Sequence, residues 1–129
     1  MILVDTSVWI DHIRRPSQRL AGLIAANGVV VHPFVIGELA MGNLSERGQF
    51  LRDLSDLPAI EVAMDHEVIR YVDAHRLYGI GIGYIDVHLL TAVRLMPGAR
   101  FWTRDQRLAA AAQRLGLAVD FTDFDNQMT

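Results

Sequence analysis

Short apolar segments alternate with segments of helical pattern along the chain, and this alternation most strongly constrains the fold. Strand-like segments lie at residues 2–4, 29–31 and 100–103, with weaker strand patterns at 60–62 and 117–119. The first two are apolar at every position, which is typical of strands buried on both faces of a parallel sheet. The alternation favours one parallel α/β sheet over separate layers of helices and strands.

Capping residues and helix breakers predict the helices between these strands. Thr6 or Ser7 is suited to cap a helix that Pro16 ends, Ser17 begins a second helix, and Pro33 suits the first turn of a third. Four further helices are predicted, at about residues 46–54, 65–77, 84–95 and 105–115. The polar tail from residue 120 is predicted to fray.

The composition excludes several classes of protein. A chain of 129 residues suits a single domain, residues 1–129. It has Cys 0, so it forms no disulfide, no thiolate zinc site and no cysteine nucleophile. All 12 basic residues are arginines, which excludes a P-loop, a Schiff-base enzyme and a receiver domain, since each needs a lysine.

Charge and hydropathy indicate where the protein works. The net charge of -3 gives no overall basic field, although acidic ligands of a metal site would contribute to that charge. The apolar runs are too short to cross a membrane, and the first residues read as a strand and not as a signal peptide. We therefore expect a cytoplasmic protein with no membrane association.

Four acidic residues lie where this fold would bring them to one place. Asp5 and Asp105 directly follow predicted strands, Asp86 lies in the first turn of a helix, and Glu38 lies on the helix after the second strand. Ligands of open α/β sheets bind beyond the carboxyl ends of the strands. Clustered carboxylates raise one another's pKa, so a bound cation is the simplest explanation for such a cluster. Their hard oxygen ligands favour Mg²⁺, or Mn²⁺, over zinc or copper.

A divalent ion at such a cluster supports phosphodiester hydrolysis. The ion lowers the pKa of a bound water and neutralises charge on the phosphate, while carboxylates orient the water or accept its proton. Arg104 and Arg107 flank Asp105 and could contact substrate phosphates. The alternative for both arginines is a solvated charge at a helix start. Arg14 and Arg15 could line the same rim, with less support.

Each acid also has a structural interpretation when it is taken alone. Asp5, Asp86 and Asp105 could cap helices, and Glu38 could be a solvated helix residue. A non-catalytic RNA- or protein-binding module with structural acids therefore stays open. A dehalogenase-type phosphatase needs an aspartate where Ser7 stands. The histidines show no metal-binding spacing, and we expect them at the surface or partly buried.

Four sequence motifs carry a resemblance to a known family. Residues 5–11, DTSVWID, resemble the opening of PIN-domain ribonucleases, in particular the VapC toxins of bacterial toxin–antitoxin modules. Glu38 with its neighbour looks like the second acidic motif, residues 83–92 like the third, and residues 102–108 like the fourth. The motifs occur in the family's order, so the resemblance covers essentially the whole chain.

The resemblance implies a fold, an activity and partners. It implies a PIN-like α/β/α sandwich with a central parallel sheet flanked by helices. It also implies a Mg²⁺- or Mn²⁺-dependent endoribonuclease, the toxin of a pair, which inhibits translation by cutting RNA until a VapB-type antitoxin neutralises it. A homodimer is expected on the same basis.

The resemblance also assigns roles to individual residues. Asp5 and Asp86 look like the principal metal ligands. Asp105 and Glu38 look like the remaining catalytic acids, which hold the metal directly or through water. By the same comparison, Thr6 and Thr103 could orient a carboxylate or a water by hydrogen bonding.

Overall fold

Three short parallel strands form the centre of the fold. The computed structural model describes residues 1–122, in which β1 (Ile2–Val4) lies between β2 (Val29–Val30) and β3 (Arg100–Trp102). Ile2 pairs with Val29 on one side and with Arg100 on the other. Leu3 and Val4 are fully buried. Because all three strands run in the same direction, their carboxyl ends meet at one edge of the sheet.

Seven helices surround this sheet in the described part of the chain. They are α1 (Thr6–Arg14), α2 (Gln18–Ala25), α3 (Pro33–Ala40), α4 (Arg47–Ser55), α5 (Asp65–His75), α6 (Tyr84–Leu95) and α7 (Gln106–Arg114). The capping signals explain several of their starts. Ser17 Oγ accepts a hydrogen bond of 3.2 Å from the Leu20 amide at the start of α2, as predicted, and Pro33 occupies the first turn of α3.

The layered architecture predicted from the alternation is confirmed. Helices pack on each other as the pairs α5–α6, α3–α4 and α1–α3, and α6 also contacts β3. The core includes the fully buried side chains of Phe101, Leu20 and Leu90. Trp9 and Trp102 are also buried in the core. The fold is an α/β/α sandwich around a parallel sheet.

Two of the predicted strands do not form in the structure. Near the predicted strand at 60–62 a single bridge pairs Ala59 with Val31, and in the segment 117–119 a single bridge pairs Ala118 with Phe101. Each bridge consists of one pair of backbone hydrogen bonds, made by Val31 in one case and by Phe101 in the other, and such a pairing is too short to form a strand.

The N-cap of α1 lies one or two residues earlier in the chain than predicted. Asp5 occupies the N-cap position, and the helix already begins at Thr6. Most of the predicted fraying tail, residues 123–129, lies outside the described residues. Among residues 1–122, no helix combines the length and apolar character that a membrane span requires.

Candidate active site

The carboxylate of Asp5 is buried and held by two hydroxyl groups. Asp5 directly follows β1, and its side chain is only 7% exposed. Thr103 Oγ1, which follows the neighbouring strand β3, donates to Asp5 Oδ2 at 2.7 Å, and Ser7 Oγ donates to the same oxygen at 2.9 Å. The described residues place no hydrogen bond on Asp5 Oδ1, so that oxygen is available to a ligand.

Asp5 does not act as a helix cap through its side chain. It stands at the N-cap position of α1, yet its carboxylate accepts no hydrogen bond from a backbone amide of the first turn. Its backbone amide instead donates to Trp102 O at 2.9 Å, which ties the end of β1 to β3. The capping interpretation weighed for Asp5 is therefore wrong, and its buried charge needs another explanation.

Asp105 and Asp86 combine a position at the sheet edge with a role at a helix start. Asp105 Oδ1 accepts a hydrogen bond of 2.9 Å from the Leu108 amide and caps α7. Asp86 lies in the first turn of α6, and its Oδ2 accepts from the Gly83 amide at 2.8 Å. Each engages one carboxylate oxygen in this way. For these two acids the capping interpretation holds, and it leaves a second oxygen on each.

Glu38 reaches the same region from the middle of α3. Burial raises the pKa of Glu38, and the charges of Asp5 and Asp86 raise it further. The nearby Thr6 hydroxyl lowers that pKa, yet Thr6 Oγ1 is buried with no formed hydrogen bond in the described residues. The two groups are therefore neighbours without a hydrogen bond between them. An orphaned hydroxyl facing a carboxylate is suited to hold a water.

The mutual effects of the four predicted acids on one another's pKa indicate that these residues lie near one another. Burial is the main cause that raises the pKa of Asp86; the Gly83 amide lowers it, and the charges of Asp5 and Asp105 raise it. Since Glu38 also interacts with Asp86, Asp86 is the member that interacts with all three others. The structure thus gathers Asp5, Glu38, Asp86 and Asp105 at the carboxyl edge of the sheet.

This cluster has no cationic side chain paired with it in the described residues. The ion pairs found in residues 1–122 join His88 to Asp65 and Arg104 to Asp11, and involve none of the four acids. Oxygen donors with uncompensated charge fit a hard divalent ion in their chemistry. Within residues 1–122, however, no three acidic or histidine side chains already form a group that could hold a metal ion, so the carboxylates would have to move closer together to bind one.

The two arginines predicted to contact substrate occupy different surroundings. Arg104 is half exposed, pairs with Asp11 at 3.3 Å, and its guanidinium carbon lies 5.7 Å from the centre of the Trp102 ring. Arg107 packs against Gly81: a Cβ built on that glycine would lie 2.5 Å from Arg107 Nη1. Gly81 has a φ of +85°. Only a glycine therefore fits beneath Arg107 in the loop that precedes α6.

Sequence reasoning missed the part that Ser7 plays. Its hydroxyl donates to Asp5 and also accepts a hydrogen bond of 3.0 Å from the Arg104 amide. Ser7 thereby joins the end of β1 to the segment after β3. Its place in the residue 5–11 motif was the signal for this role, but we considered it only as a helix cap.

A second missed group supports the start of α6. Asp65 Oδ1 accepts hydrogen bonds from Tyr84 Oη at 2.9 Å and from His88 Nε2 at 3.0 Å. The expectation that the histidines lie at the surface or are partly buried is wrong for His88 and His32, which are 2% and 0% exposed. His88 is buried because α5 and α6 pack together around it, which a spacing rule for metal ligands does not detect.

Comparisons with known proteins agree with the motifs. The sequence pattern of the PIN domain matches residues 2–114. The chain is 46% identical over 119 residues to Ribonuclease VapC32 of Mycobacterium tuberculosis strain CDC 1551 / Oshkosh, and equally so to Ribonuclease VapC32 of strain ATCC 25618 / H37Rv. Each alignment covers 92% of this chain and 96% of the relative. The chain therefore belongs to the PIN-domain family, and its predicted resemblance to VapC ribonucleases is confirmed.

Proposed function

We propose that this protein is a metal-dependent endoribonuclease that hydrolyses RNA phosphodiester bonds. One observation carries the proposal: four carboxylates with no cationic partner in the described residues meet at the sheet edge of a PIN domain. The 46% identity to relatives named ribonucleases supports the choice of substrate. A set of acids that served only to cap helices would not need Asp5, because its buried carboxylate caps no helix.

The roles of the acids follow from their contacts. The hydroxyls of Ser7 and Thr103 hold Asp5 Oδ2 in place, so Asp5 Oδ1 presents a fixed lone pair to a ligand. Asp86 and Asp105 use one oxygen each at a helix start, which orients the other. We assign Asp5, Asp86 and Asp105 to hold the metal, with Mg²⁺ as the first choice and Mn²⁺ as the second.

Glu38 is suited to handle a proton in this reaction. Its raised pKa makes its carboxylate a better proton acceptor than an isolated glutamate. The neighbouring Thr6 hydroxyl, which is buried without a partner in the described residues, could position the water that loses the proton. A bound divalent ion would supply a lowered water pKa and neutralise charge on the phosphate.

We further propose the biological setting that the VapC resemblance implies. The protein would act in the cytoplasm as the toxin of a toxin–antitoxin pair and inhibit translation by cutting RNA. A VapB-type antitoxin would block the acidic site, and the toxin itself would be a homodimer. These proposals are supported by the similarity to the VapC32 ribonucleases and by the absence of a membrane-spanning helix in residues 1–122.

The test is cleavage of total bacterial RNA by the purified protein. Reactions contain Mg²⁺, Mn²⁺ or EDTA, and the Asp86→Asn variant is assayed in parallel. We expect discrete products that need metal and that are absent with Asp86→Asn, because Asp86 interacts with all three other acids. Mapping the ends of these products would identify the RNA that is cut.

The matched control is Asp73→Asn, the same chemical change at an exposed position of α5 outside the cluster. This variant should cleave as the native protein does. Cleavage that persists in EDTA, or that Asp86→Asn retains in full, would contradict the proposed site. Binding of RNA without any cleavage would favour the alternative of a non-catalytic binding module.

A further inference from the structure

A concavity at the far end of α1 collects arginines next to the acidic cluster. It encloses about 400 Å³ and is lined by Asp11, Arg14, Arg15 and Arg104. Three positive charges therefore face one negative charge, in a chain whose net charge is -3. We call these four residues the arginine pocket. Such a local excess of positive charge in an acidic protein indicates an anionic ligand.

The arginine pocket is connected to the acidic cluster by hydrogen bonds and by a helix. The Arg104 amide donates to Ser7 Oγ, and Ser7 Oγ donates to the Asp5 carboxylate. Arg14 and Arg15 lie at the other end of α1, the helix that begins directly after Asp5. A helix of 9 residues is about 13 Å long. A nucleic-acid strand held at Arg14 and Arg15 would reach the acids by running along α1.

The side chains in the pocket are suited to phosphate groups. Guanidinium groups bind phosphate oxygens through two parallel hydrogen bonds. Arg14 and Arg15 are exposed, so a ligand can reach them. Arg104 is restrained by Asp11, in an ion pair whose two side chains are 51% and 52% exposed. Half-exposed ion pairs of this kind contribute little free energy, so a phosphate can replace Asp11 as the partner of the Arg104 guanidinium.

We propose that the arginine pocket binds backbone phosphates of a single-stranded RNA next to the bond that is cut. The proposal rests on the endoribonuclease function proposed above and adds a binding site to it. Arg104 adjoins Asp105 of the acidic cluster, while Arg14 and Arg15 hold the strand farther from the acids. Because the contacts are to phosphates, they increase affinity without reading the base sequence.

The test is RNA binding by the double variant Arg14→Ala/Arg15→Ala. Both the parent and the double variant carry Asp86→Asn and contain Mg²⁺, so binding is measured without cleavage. Fluorescence anisotropy of a labelled single-stranded RNA of mixed sequence is recorded at several KCl concentrations. We expect roughly tenfold weaker binding, and a slope of log Kd against log [KCl] that is smaller by about 1.4, since each phosphate contact with a single strand contributes about 0.7.

The matched control is Arg94→Ala/Arg114→Ala, which removes the same charge from the far ends of α6 and α7. Asp86 lies in the first turn of α6 and Asp105 directly precedes α7. The control residues therefore lie at the ends of these helices that are distant from the acids. Its RNA affinity should stay within about twofold of the parent, because unbound charges release no counterions. Circular dichroism establishes that both double variants are folded.

The outcomes separate this proposal from the proposed activity. If the native protein cleaves RNA but the Arg14/Arg15 variant binds with unchanged affinity and salt dependence, the pocket proposal is overturned and the nuclease stands. An equal loss in both double variants also overturns it, because general charge would then be the cause. If Arg14/Arg15 binding is selectively weakened while the native protein shows no cleavage, the pocket is supported and the nuclease fails.

Discussion

The segments that follow β1 and β3 have the same local pattern but use their aspartates differently. In each, a strand ends, an aspartate occupies the helix N-cap position, and a helix begins. Asp105 is exposed and caps α7 through the Leu108 amide. Asp5 is buried and caps nothing, because Ser7 and Thr103 hold its carboxylate. Neighbouring strands thus present one acid that stabilises a helix and one that does not.

This difference shows that the environment of an aspartate, and not its position after a strand, determines its role. The carboxylate of Asp5 loses solvent and gains two hydroxyl donors, which fix its orientation. Asp105 satisfies a helix amide and keeps contact with water. A third strand end, at His32, caps α3 with a neutral ring: its Nδ1 accepts a hydrogen bond of 3.0 Å from the Phe34 amide.

The largest expected effect of the difference is on RNA cleavage. Asp5→Asn keeps the shape of the side chain but removes its charge, and should lower the cleavage rate by more than about 100-fold, beyond the usual 10–100-fold cost of losing a supporting residue. Asp105→Asn, with one oxygen already used for capping, should cost roughly tenfold. Single-turnover rates in Mg²⁺ measure both. Equal losses would break the distinction between the two acids.

The next largest effect is on metal binding, which is measured as the increase in Tm when metal is added. A ligand at 100 times its Kd stabilises the folded state by about 2.7 kcal/mol, so Mg²⁺ or Mn²⁺ should raise the Tm of the native protein by several degrees. Asp5→Asn should lose most of this rise, and Asp105→Asn should keep part of it. Differential scanning calorimetry with and without metal gives the shifts. A full shift in Asp5→Asn would remove Asp5 from the proposed ligands.

His32, which follows β2, gives a smaller effect: its contribution to folding stability depends on pH. Burial, with a contribution from the charge of His88, lowers the pKa of His32 to about 4, so the unfolded chain binds a proton more readily than the folded one. Stability is therefore complete above pH 6.5 and is lost as the pH falls toward 4. The loss attributable to His32 should be roughly 2 kcal/mol between pH 6.5 and 5.

The His32→Asn variant isolates this contribution, since asparagine is a good cap and does not titrate. Its unfolding free energy, measured by urea denaturation, should fall less steeply than that of the native protein over this pH range. The exposed residue His66 provides the control, and His66→Asn should keep the native slope. An unchanged slope in His32→Asn would show that the buried ring is not the group that titrates.

The sequence predicted the layered fold and most of the helices. Helix α6 has the predicted bounds, and the parallel sheet follows from apolar strands separated by helices. The segments at 60–62 and 117–119 were not predictable as bridges, because their length as strands depends on how far β2 and β3 continue beside them. The prediction that residues 1–129 form a single domain stays a prediction.

The candidate site was predictable in its members but not in their contacts. The positions of Asp5, Glu38, Asp86 and Asp105 after strands and on helices were enough to place them at one edge. The resemblance implied that Thr103 could orient a carboxylate or a water, but local sequence did not reveal that the group it holds is the carboxylate of Asp5, 98 residues away. Such a contact depends on the pairing of β1 with β3, which is a property of the tertiary fold.

The smallest expected effect is on the free energy of unfolding. Here Asp105, which caps α7, is expected to matter more than Asp5, the reverse of the order expected for cleavage. Asp105→Ala removes the hydrogen bond to the Leu108 amide and should lower the unfolding free energy by about 1 kcal/mol. Asp105→Asn should leave stability unchanged, because asparagine caps as well as aspartate does. Asp5→Asn should not destabilise the metal-free protein, since it removes one charge from a group of like charges and its amide oxygen still accepts hydrogen bonds. Urea denaturation in EDTA compares the three variants. A loss in Asp105→Asn equal to that in Asp105→Ala would mean that the charge of Asp105, through the dipole of α7, stabilises the helix more than the hydrogen bond does.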